Sequence, residues 1–150
     1  LSSRRQGQMC ISERDNLPPI IATDISPEAV ENAHTNAIAA GVAPYITFKA
    51  CDFAETPIPE AKGCIFFNPE YGIRLGDPKE LAPVYERIGT FLHEKCPGWM
   101  GALITGSQEL SHLVNLYYKT RIPFFNGPID CRLFLYEGCE LKGQNINGNE

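Results

Sequence analysis

The sequence contains no long hydrophobic run. Its apolar stretches are far shorter than the ~20 consecutive apolar residues that a transmembrane helix requires. No apolar segment of the secretory type stands near residue 1 either. We therefore expect a protein that makes no contact with membranes and is located in the cytoplasm.

The sequence also has fewer basic than acidic residues. The chain has 13 Lys and Arg residues against 18 Asp and Glu residues, which gives a formal net charge of -5. A domain that holds nucleic acid through its overall electrostatic field is basic. Any contact with nucleic acid should therefore be local, or shared with another domain.

The six cysteines show no paired C-x-x-C spacing. Cys64 and Cys131 lie within apolar runs, where a free thiol behaves as a small buried hydrophobe. None of the three histidines has a cysteine or carboxylate at the spacing of metal ligands. We expect reduced cysteines and no metal site.

Short apolar segments alternate with helical patterns over the first two thirds of the chain, which is typical of an α/β fold with a parallel sheet. The last two strands follow one another directly and should form an antiparallel pair at one edge. Pro83 interrupts the second helical pattern, which predicts a kink or a late start. The predicted strands are 20–24, 45–50, 63–67, 100–105, 116–122 and 130–136, and the predicted helices begin near Ser26, Asp77 and Ser107.

Three predicted segments divide the chain. Residues 1–19 have no clear period and are interpreted as a tail or linker, and residues 20–137 carry the alternating pattern of one α/β domain. Residues 138–150 are rich in glycine and asparagine towards their end and are predicted to be a flexible tail.

Polar residues follow three successive predicted strands, namely Asp24, Asp52 and the segment Asn68-Pro69-Glu70-Tyr71. In open α/β sheets, ligands bind beyond the carboxyl ends of the strands, and a carboxylate can accept both hydrogens of a ribose diol. The alternative is that Asp24 caps only the Ser26 turn and that Asp52 begins a loop.

The segment beginning at Asn68 has a more specific chemistry. Pro69 restricts Asn68 to an extended conformation, which directs amide and carbonyl oxygens out of the strand end, where they could bind an exocyclic amine. Tyr71 could stack on a base turned out of its helix. The alternative is a plain turn in which Tyr71 packs on the core.

This segment resembles the N-P-P-Y motif of amino-group methyltransferases that use S-adenosyl-L-methionine. The ordered segments IIATDISPEAVENAHTNAIAAGV, ITFKACDF, NPEYGIRLG, YERIGTFL, CPGW and FNGPIDCRLFLYE together resemble the catalytic domain of the large-subunit (23S) ribosomal RNA guanine-N2 methyltransferases. These enzymes belong to the THUMP-associated RNA methylases. The resemblance covers residues 20–137 and implies a Rossmann-like, S-adenosylmethionine-dependent methyltransferase sheet, mostly parallel with an antiparallel last strand pair.

The resemblance also implies a cofactor site. Asp24, with Ile25 beside it, would contact the ribose of S-adenosyl-L-methionine. Asp52 would meet the adenine amine and Phe53 would lie beside the adenine ring, while Asn68 would border both cofactor and target.

The implied catalytic residues are Asn68, Pro69 and Tyr71. Asn68 and the Pro69 carbonyl would hold the N2 amine of a guanine, and Tyr71 would stack on the base. Acceptors that orient the hydrogens of the amine free its lone pair for in-line attack on the methyl sulfonium, so that no strong general base is required.

The chain departs from the family pattern in two ways. Glu70 stands where a second proline is usual, which gives up about 0.4–1 kcal/mol of conformational restriction and adds a charge that Arg74 could neutralise. The first strand and glycine-rich loop with which the family's catalytic domain begins have no counterpart before the strand that ends at Asp24, and Gly7 is the only earlier glycine. We therefore expect a piece of a longer enzyme that lacks its RNA-binding THUMP region and binds the cofactor weakly by itself.

The expected partners are ribosomal RNA, contacted in part through that upstream region, and the remainder of the polypeptide or a second chain. Two alternatives remain open at the level of sequence. One is an adenine-N6 amino methyltransferase acting on DNA or RNA, since that chemistry shares the Asn-Pro-x-Tyr arrangement. The other is a non-catalytic, methyltransferase-like remnant that scaffolds a partner.

Overall fold

The computed structural model describes residues 17–69 and 78–142. The chain divides into two compact units, with the boundary between Pro59 and Glu60. Within the described ranges, no helix combines the length and the apolar character needed to cross a membrane.

The first unit is built on two parallel strands. Ser26 caps its helix as predicted, because the Ser26 hydroxyl accepts a hydrogen bond from the Ala29 amide (3.2 Å) and Pro27 occupies the first turn. Gly41 follows the helix with a φ of +72°, a conformation in which glycine carries no steric penalty. The elements are β1 (Ile20–Asp24), α1 (Pro27–Ala39), a 3-10 turn (Ala43–Tyr45), β2 (Ile46–Ala50) and a second 3-10 turn (Phe53–Glu55).

The second unit is a four-stranded mixed sheet with two helices. Its strand order is β3-β4-β6-β5, in which β3 and β4 are parallel and β6 runs antiparallel to both of its neighbours. The predicted α/β class and the antiparallel last pair are confirmed. The elements are β3 (Cys64–Phe67), α2 (Pro78–Lys95), β4 (Met100–Thr105), α3 (Gln108–Leu113), β5 (Thr120–Asn126) and β6 (Ile129–Glu137).

The core of the second unit lies between its sheet and α2. Large side chains of the helix and of the sheet are almost completely removed from water there. Gly89 permits α2 and α3 to approach closely, because a Cβ at this position would overlap the carbonyl oxygen of Val114. The least exposed large side chains of this core are Tyr85, Ile88, Leu92, Leu103, Val114, Leu116 and Tyr136.

The predicted bounds of the fifth strand are wrong. The strand covers Thr120–Asn126 rather than 116–122, and it passes through Pro123. Because β5 pairs only with β6 in the described sheet, one side of the strand carries no ladder partner and tolerates a residue without an amide hydrogen. Of the two predictions for α2, the late start is wrong, since the helix runs continuously from Pro78 through Pro83, and the kink stays a prediction.

Residues 138–142, predicted as the start of a flexible tail, are instead held by backbone hydrogen bonds. The Gly138 amide donates to the Trp99 carbonyl (3.0 Å), and the Lys142 amide donates to the Asn115 carbonyl (3.0 Å). Leu141 forms an isolated antiparallel bridge with Leu116. Long-range pairing of this kind leaves no local signal in a stretch whose composition resembles a tail.

Candidate active site

Two aspartates meet at the carboxyl edge of the first unit. Asp24 ends β1 opposite Ala50, which ends the parallel strand β2, and Asp52 follows two residues later. The Cys51 amide donates to the Asp24 carbonyl at 2.9 Å and continues the pairing one step beyond β2. The predicted shared edge for these two carboxylates is therefore present.

Each carboxylate also serves its own backbone turn. The Ser26 amide donates to Asp24 Oδ1 (2.8 Å), and the Ala54 amide donates to Asp52 Oδ1 (2.9 Å). The alternative that both aspartates serve local turns is thus correct for the local structure. It leaves one carboxylate oxygen of Asp24 available. Asp24 is exposed, and its second oxygen, Oδ2, accepts no hydrogen bond from any described residue.

Apolar surface lies next to these carboxylates in the chain. Ile25 is 75% exposed and Phe53 is half-buried. The hydroxyls of Thr23 and Thr56 lie 2.8 Å apart, which ties the turn that contains Phe53 to β1. A fixed edge with acceptors and an apolar neighbour can bind a nucleoside, because the ribose needs acceptors and the base needs a flat apolar contact.

Asn68 and Pro69 lie at the carboxyl end of β3 in the second unit. Phe67, the last residue of the strand, is opposite Leu103 of β4, and its ring packs edge-on against Phe91 with the centroids 6.2 Å apart. The pairing with Leu103 and the contact with Phe91 therefore fix the end of β3 to the core. Asn68 is exposed, and its side-chain amide forms no hydrogen bond with any described residue.

A buried hydrogen-bond chain fixes the adjacent strand end. The hydroxyls of Tyr85 and Thr105 lie 2.8 Å apart, and the Ser107 amide donates to Thr105 Oγ1 at 3.1 Å. Ser107 then caps α3 by accepting from the Leu110 amide at 3.2 Å. Sequence reasoning missed this chain because Tyr85 fits the helical spacing of the apolar residues around it and gives no sign of a polar partner. The only signal was a threonine and a serine flanking a glycine immediately before a capped helix.

The β5–β6 hairpin extends beyond the carboxyl end of β4. Thr105 is the last paired residue of β4 and lies opposite Arg132, so that residues 124–131 project past it. Phe125 near the tip is 74% exposed. Arg132 forms an ion pair with Asp130, and this hydrogen bond lowers the pKa of the Asp130 carboxyl.

The structure distributes the predicted site residues over both units. Asp24, Ile25, Asp52 and Phe53 lie at one edge of the two-stranded sheet, and Asn68-Pro69 lies at the corresponding end of β3 in the other sheet. Tyr71, together with Glu70 and Arg74, lies outside the described residues. The roles assigned to all these residues therefore stay predictions. In the described part of the chain, no three or more His, Cys, Asp or Glu side chains are grouped so that they could hold a metal ion.

A family model matches residues 4–134, and its description is an RMKL-like methyltransferase domain (UPF0020). The chain belongs to this family. The match covers most of the 150 residues. It confirms the predicted methyltransferase family for the region that contains Asp24, Asp52 and Asn68.

A curated relative of this RMKL-like domain is the ribosomal RNA large subunit methyltransferase K/L of Chromohalobacter salexigens. The two are 33% identical over 138 residues, which is 90% of this chain and 19% of the relative. The chain thus spans about one fifth of the length of that protein.

Two solved structures share the fold. A predicted N6-adenine-specific DNA methylase from Listeria monocytogenes is 25% identical, with a TM-score of 0.71 over 84% of this chain and 32% of that chain. An RNA methyltransferase from Salinibacter ruber, solved in complex with S-adenosyl-L-homocysteine, is 19% identical with a TM-score of 0.53 over 85% of this chain and 71% of that chain. The RMKL-like domain therefore has a methyltransferase fold.

Proposed function

We propose that this chain transfers the methyl group of S-adenosyl-L-methionine to the exocyclic N2 amine of a guanine in ribosomal RNA. The observation that carries the proposal is the placement of Asn68 and Pro69 at the carboxyl end of β3 within an RMKL-like methyltransferase domain. The exposed Asn68 amide has no hydrogen-bond partner among the described residues and is available to a substrate.

The first unit fits the nucleoside part of the cofactor. Asp24 Oδ2 is available to accept a ribose hydroxyl, while Oδ1 stays with the Ser26 amide, which fixes the orientation of the carboxylate. Asp52 caps the turn at Phe53 and brings a carboxylate beside an aromatic ring, a combination suited to an adenine amine and its ring face. Ile25 adds exposed apolar surface at the same edge. Bound there, S-adenosyl-L-methionine supplies an electrophilic methyl group.

Asn68 and Pro69 supply the acceptors that the target requires. The Asn68 side-chain oxygen and the Pro69 carbonyl hold the two hydrogens of the guanine amine, and its lone pair is thereby turned towards the methyl carbon. The amine displaces S-adenosyl-L-homocysteine from the methyl carbon and then loses a proton to solvent, because the resulting ammonium is strongly acidic and its deprotonation restores conjugation of the nitrogen lone pair with the ring. Positioning of this kind accelerates a reaction by aligning the reacting atoms rather than by activating a strong base.

The hairpin tip and Tyr71 complete the proposed base pocket. Phe125 is exposed beyond the carboxyl end of β4, on the sheet that carries Asn68, and offers an aromatic face to a nucleotide. Tyr71 follows Asn68 by three residues and is proposed to stack on the flipped guanine. We propose a cytoplasmic location for this reaction, with part of the ribosomal RNA bound by other segments of a longer polypeptide or by a second chain.

The decisive experiment is methyl transfer by the full-length protein to ribosomal RNA, followed by digestion and separation of the modified nucleosides. The proposal expects labelled N2-methylguanosine and no label in adenosine. The Asn68→Ala variant serves as the matched control and should form N2-methylguanosine about 100-fold more slowly. If the unchanged protein formed no more N2-methylguanosine than Asn68→Ala does, the proposed reaction would be excluded.

A second candidate is amino methylation of adenine. It is favoured by the Listeria monocytogenes structure, whose name assigns N6-adenine DNA methylation to that protein and which shares the fold. Label found only in N6-methyladenine would select this candidate. Absence of any S-adenosylmethionine binding by the full-length protein would instead favour a non-catalytic scaffold.

A further inference from the structure

A basic cleft lies between α3 and β5, on the second unit. Its basic side chains are His112 from the helix, Arg121 from the strand and Lys142 from the segment after β6, and we call this depression the α3–β5 cleft. Ser111 and Tyr118 are further polar groups in its lining. No acidic side chain is among the described residues that line it. Glu86 belongs to a neighbouring groove that has only His112 in common with the cleft.

The charges of Arg121 and Lys142 have no ion-pair partner among the described residues. The neighbouring cations of the same hairpin are paired: Lys119 Nζ lies 2.7 Å from a carboxylate oxygen of Glu137, and Arg132 pairs with Asp130. By contrast, no described residue forms an ion pair or hydrogen bond with the Arg121 guanidinium. Arg121 is exposed and is therefore available to an anion from outside the chain.

Aromatic surface stands next to these charges. The Lys142 ammonium lies 6.0 Å from the centroid of the Tyr118 ring, at the limit of a cation–π contact. The same ring packs edge-on against Phe134 at 5.3 Å, which fixes its orientation, and Tyr118 remains 42% exposed. Cations interleaved with exposed aromatic rings are typical of surfaces that bind single-stranded nucleic acid.

The cleft is too small to enclose a metabolite. Its cavity volume of about 20 Å³ is far below the roughly 300–1,000 Å³ of small-molecule pockets. A backbone phosphate needs only a surface depression with donors, because the rest of the polymer stays in solvent. In a chain of net charge -5, a local cluster of unpaired cations is also the kind of site that nucleic acid contact requires.

The position of the cleft suits an RNA strand that reaches Asn68. Phe67, Leu103, Phe134 and Arg121 are successive Cα partners across the sheet, so that Arg121 lies three strand spacings, about 14 Å, from the end of β3. We propose that the α3–β5 cleft binds backbone phosphates of the RNA substrate outside the catalytic site, with one phosphate contact each from Arg121 and Lys142. This inference rests on the proposed function only in taking RNA as the substrate.

The test is the salt dependence of RNA binding by the full-length protein. Each lost phosphate contact lowers the slope of log K against log salt by about 1. Arg121→Gln/Lys142→Gln should therefore reduce the magnitude of the slope by about 2 and weaken binding about tenfold at low salt. The affinity for S-adenosyl-L-methionine should stay unchanged, and so should turnover at saturating RNA.

The matched control is Lys49→Gln/Lys95→Gln, which removes two exposed cations outside the cleft. The inference is overturned if the cleft variant keeps the slope of the original protein, or if the control changes the slope equally. Should the double variant fail to fold, the single variant of the exposed Lys142, Lys142→Gln, should still lower the slope by about 1. RNA binding is measured separately from methyl transfer. A protein that methylates no RNA would therefore contradict the proposed function, while the salt dependence of binding would still test the phosphate site.

Discussion

The hydroxyl of Tyr85 lies 2.8 Å from the hydroxyl of Thr105 in the buried interface between α2 and β4. Tyr85 is 0% and Thr105 is 1% exposed, so neither group has water as an alternative partner. The pair is continued by the Ser107 amide, which donates to Thr105 and thereby sets the exit of the chain from β4. The strand end beside Asn68 therefore depends on a polar link inside an otherwise apolar core.

Tyr85→Phe should destabilise the protein by about 1–3 kcal/mol, because the substitution leaves the buried Thr105 hydroxyl without its tyrosine partner. The free energy of unfolding from urea titration measures this directly. Tyr117→Phe is the matched control, since Tyr117 is 44% exposed and its loss of a hydroxyl should change stability by less than about 0.5 kcal/mol. Equal effects of the two variants would show that the buried link contributes nothing specific.

Asp24→Asn should weaken S-adenosyl-L-methionine binding by the full-length protein about 10- to 100-fold. Hydrogen bonds to a charged group are worth about 1.5–3 kcal/mol, and the variant retains an oxygen for the Ser26 amide. Isothermal titration calorimetry gives the dissociation constant. Glu28→Gln, an equal loss of charge in the first turn of α1, should leave it unchanged. An unaltered dissociation constant for Asp24→Asn would remove this residue from the cofactor site.

Asn68→Ala should lower the rate of methyl transfer about 100-fold and change cofactor affinity little, because the amide is proposed to orient the target amine rather than the cofactor. Single-turnover kinetics at saturating cofactor separate the two effects. Asn32→Ala, on the exposed surface of α1, is the matched control and should retain full activity. A loss of cofactor affinity as large as the loss of rate would contradict the assigned role.

Cys96 and Cys139 should resist alkylation in the folded protein. Burial raises the pKa of each thiol from 9.0 to about 11, and the thiolate is the reactive form. Two pKa units lower the thiolate fraction at pH 8 about 100-fold, so iodoacetamide should label both residues at least about 100-fold more slowly in the folded chain than in urea. Peptide mass spectrometry follows each cysteine, with the exposed Cys64 as the internal control. Equal labelling of all three in the folded state would mean that this core is open.

The local elements of the fold could be predicted well because their causes are local. The strands Ile20–Asp24 and Met100–Thr105 have the bounds that their apolar runs predict, and α1 begins where Ser26 and Pro27 place it. The shared edge of Asp24 and Asp52 also follows from sequence, because two parallel strands joined by one helix end at the same side.

The less accurate predictions concern residues whose structure depends on distant partners. The fifth strand begins at Thr120 because its register is set by β6, and residues 138–142 are ordered because they bond to Trp99 and Asn115. A single sequence carries no periodic signal for such pairings, since either strand alone would satisfy its apolar pattern in several registers.

The sequence by itself determined the family and the bounds of β1 and β4, because motifs and apolar runs are properties of neighbouring residues, and it predicted acceptors at Asp24, Asp52 and Asn68. Only the tertiary structure decided that His112, Arg121 and Lys142 share one cleft and that Tyr85 reaches Thr105. Such groups are brought together by the insertion of β6 between β4 and β5 and by the close contact of α2 with α3. The free energy of packing the whole sheet against its helices selects that arrangement. No short segment of the sequence contains the information that specifies it.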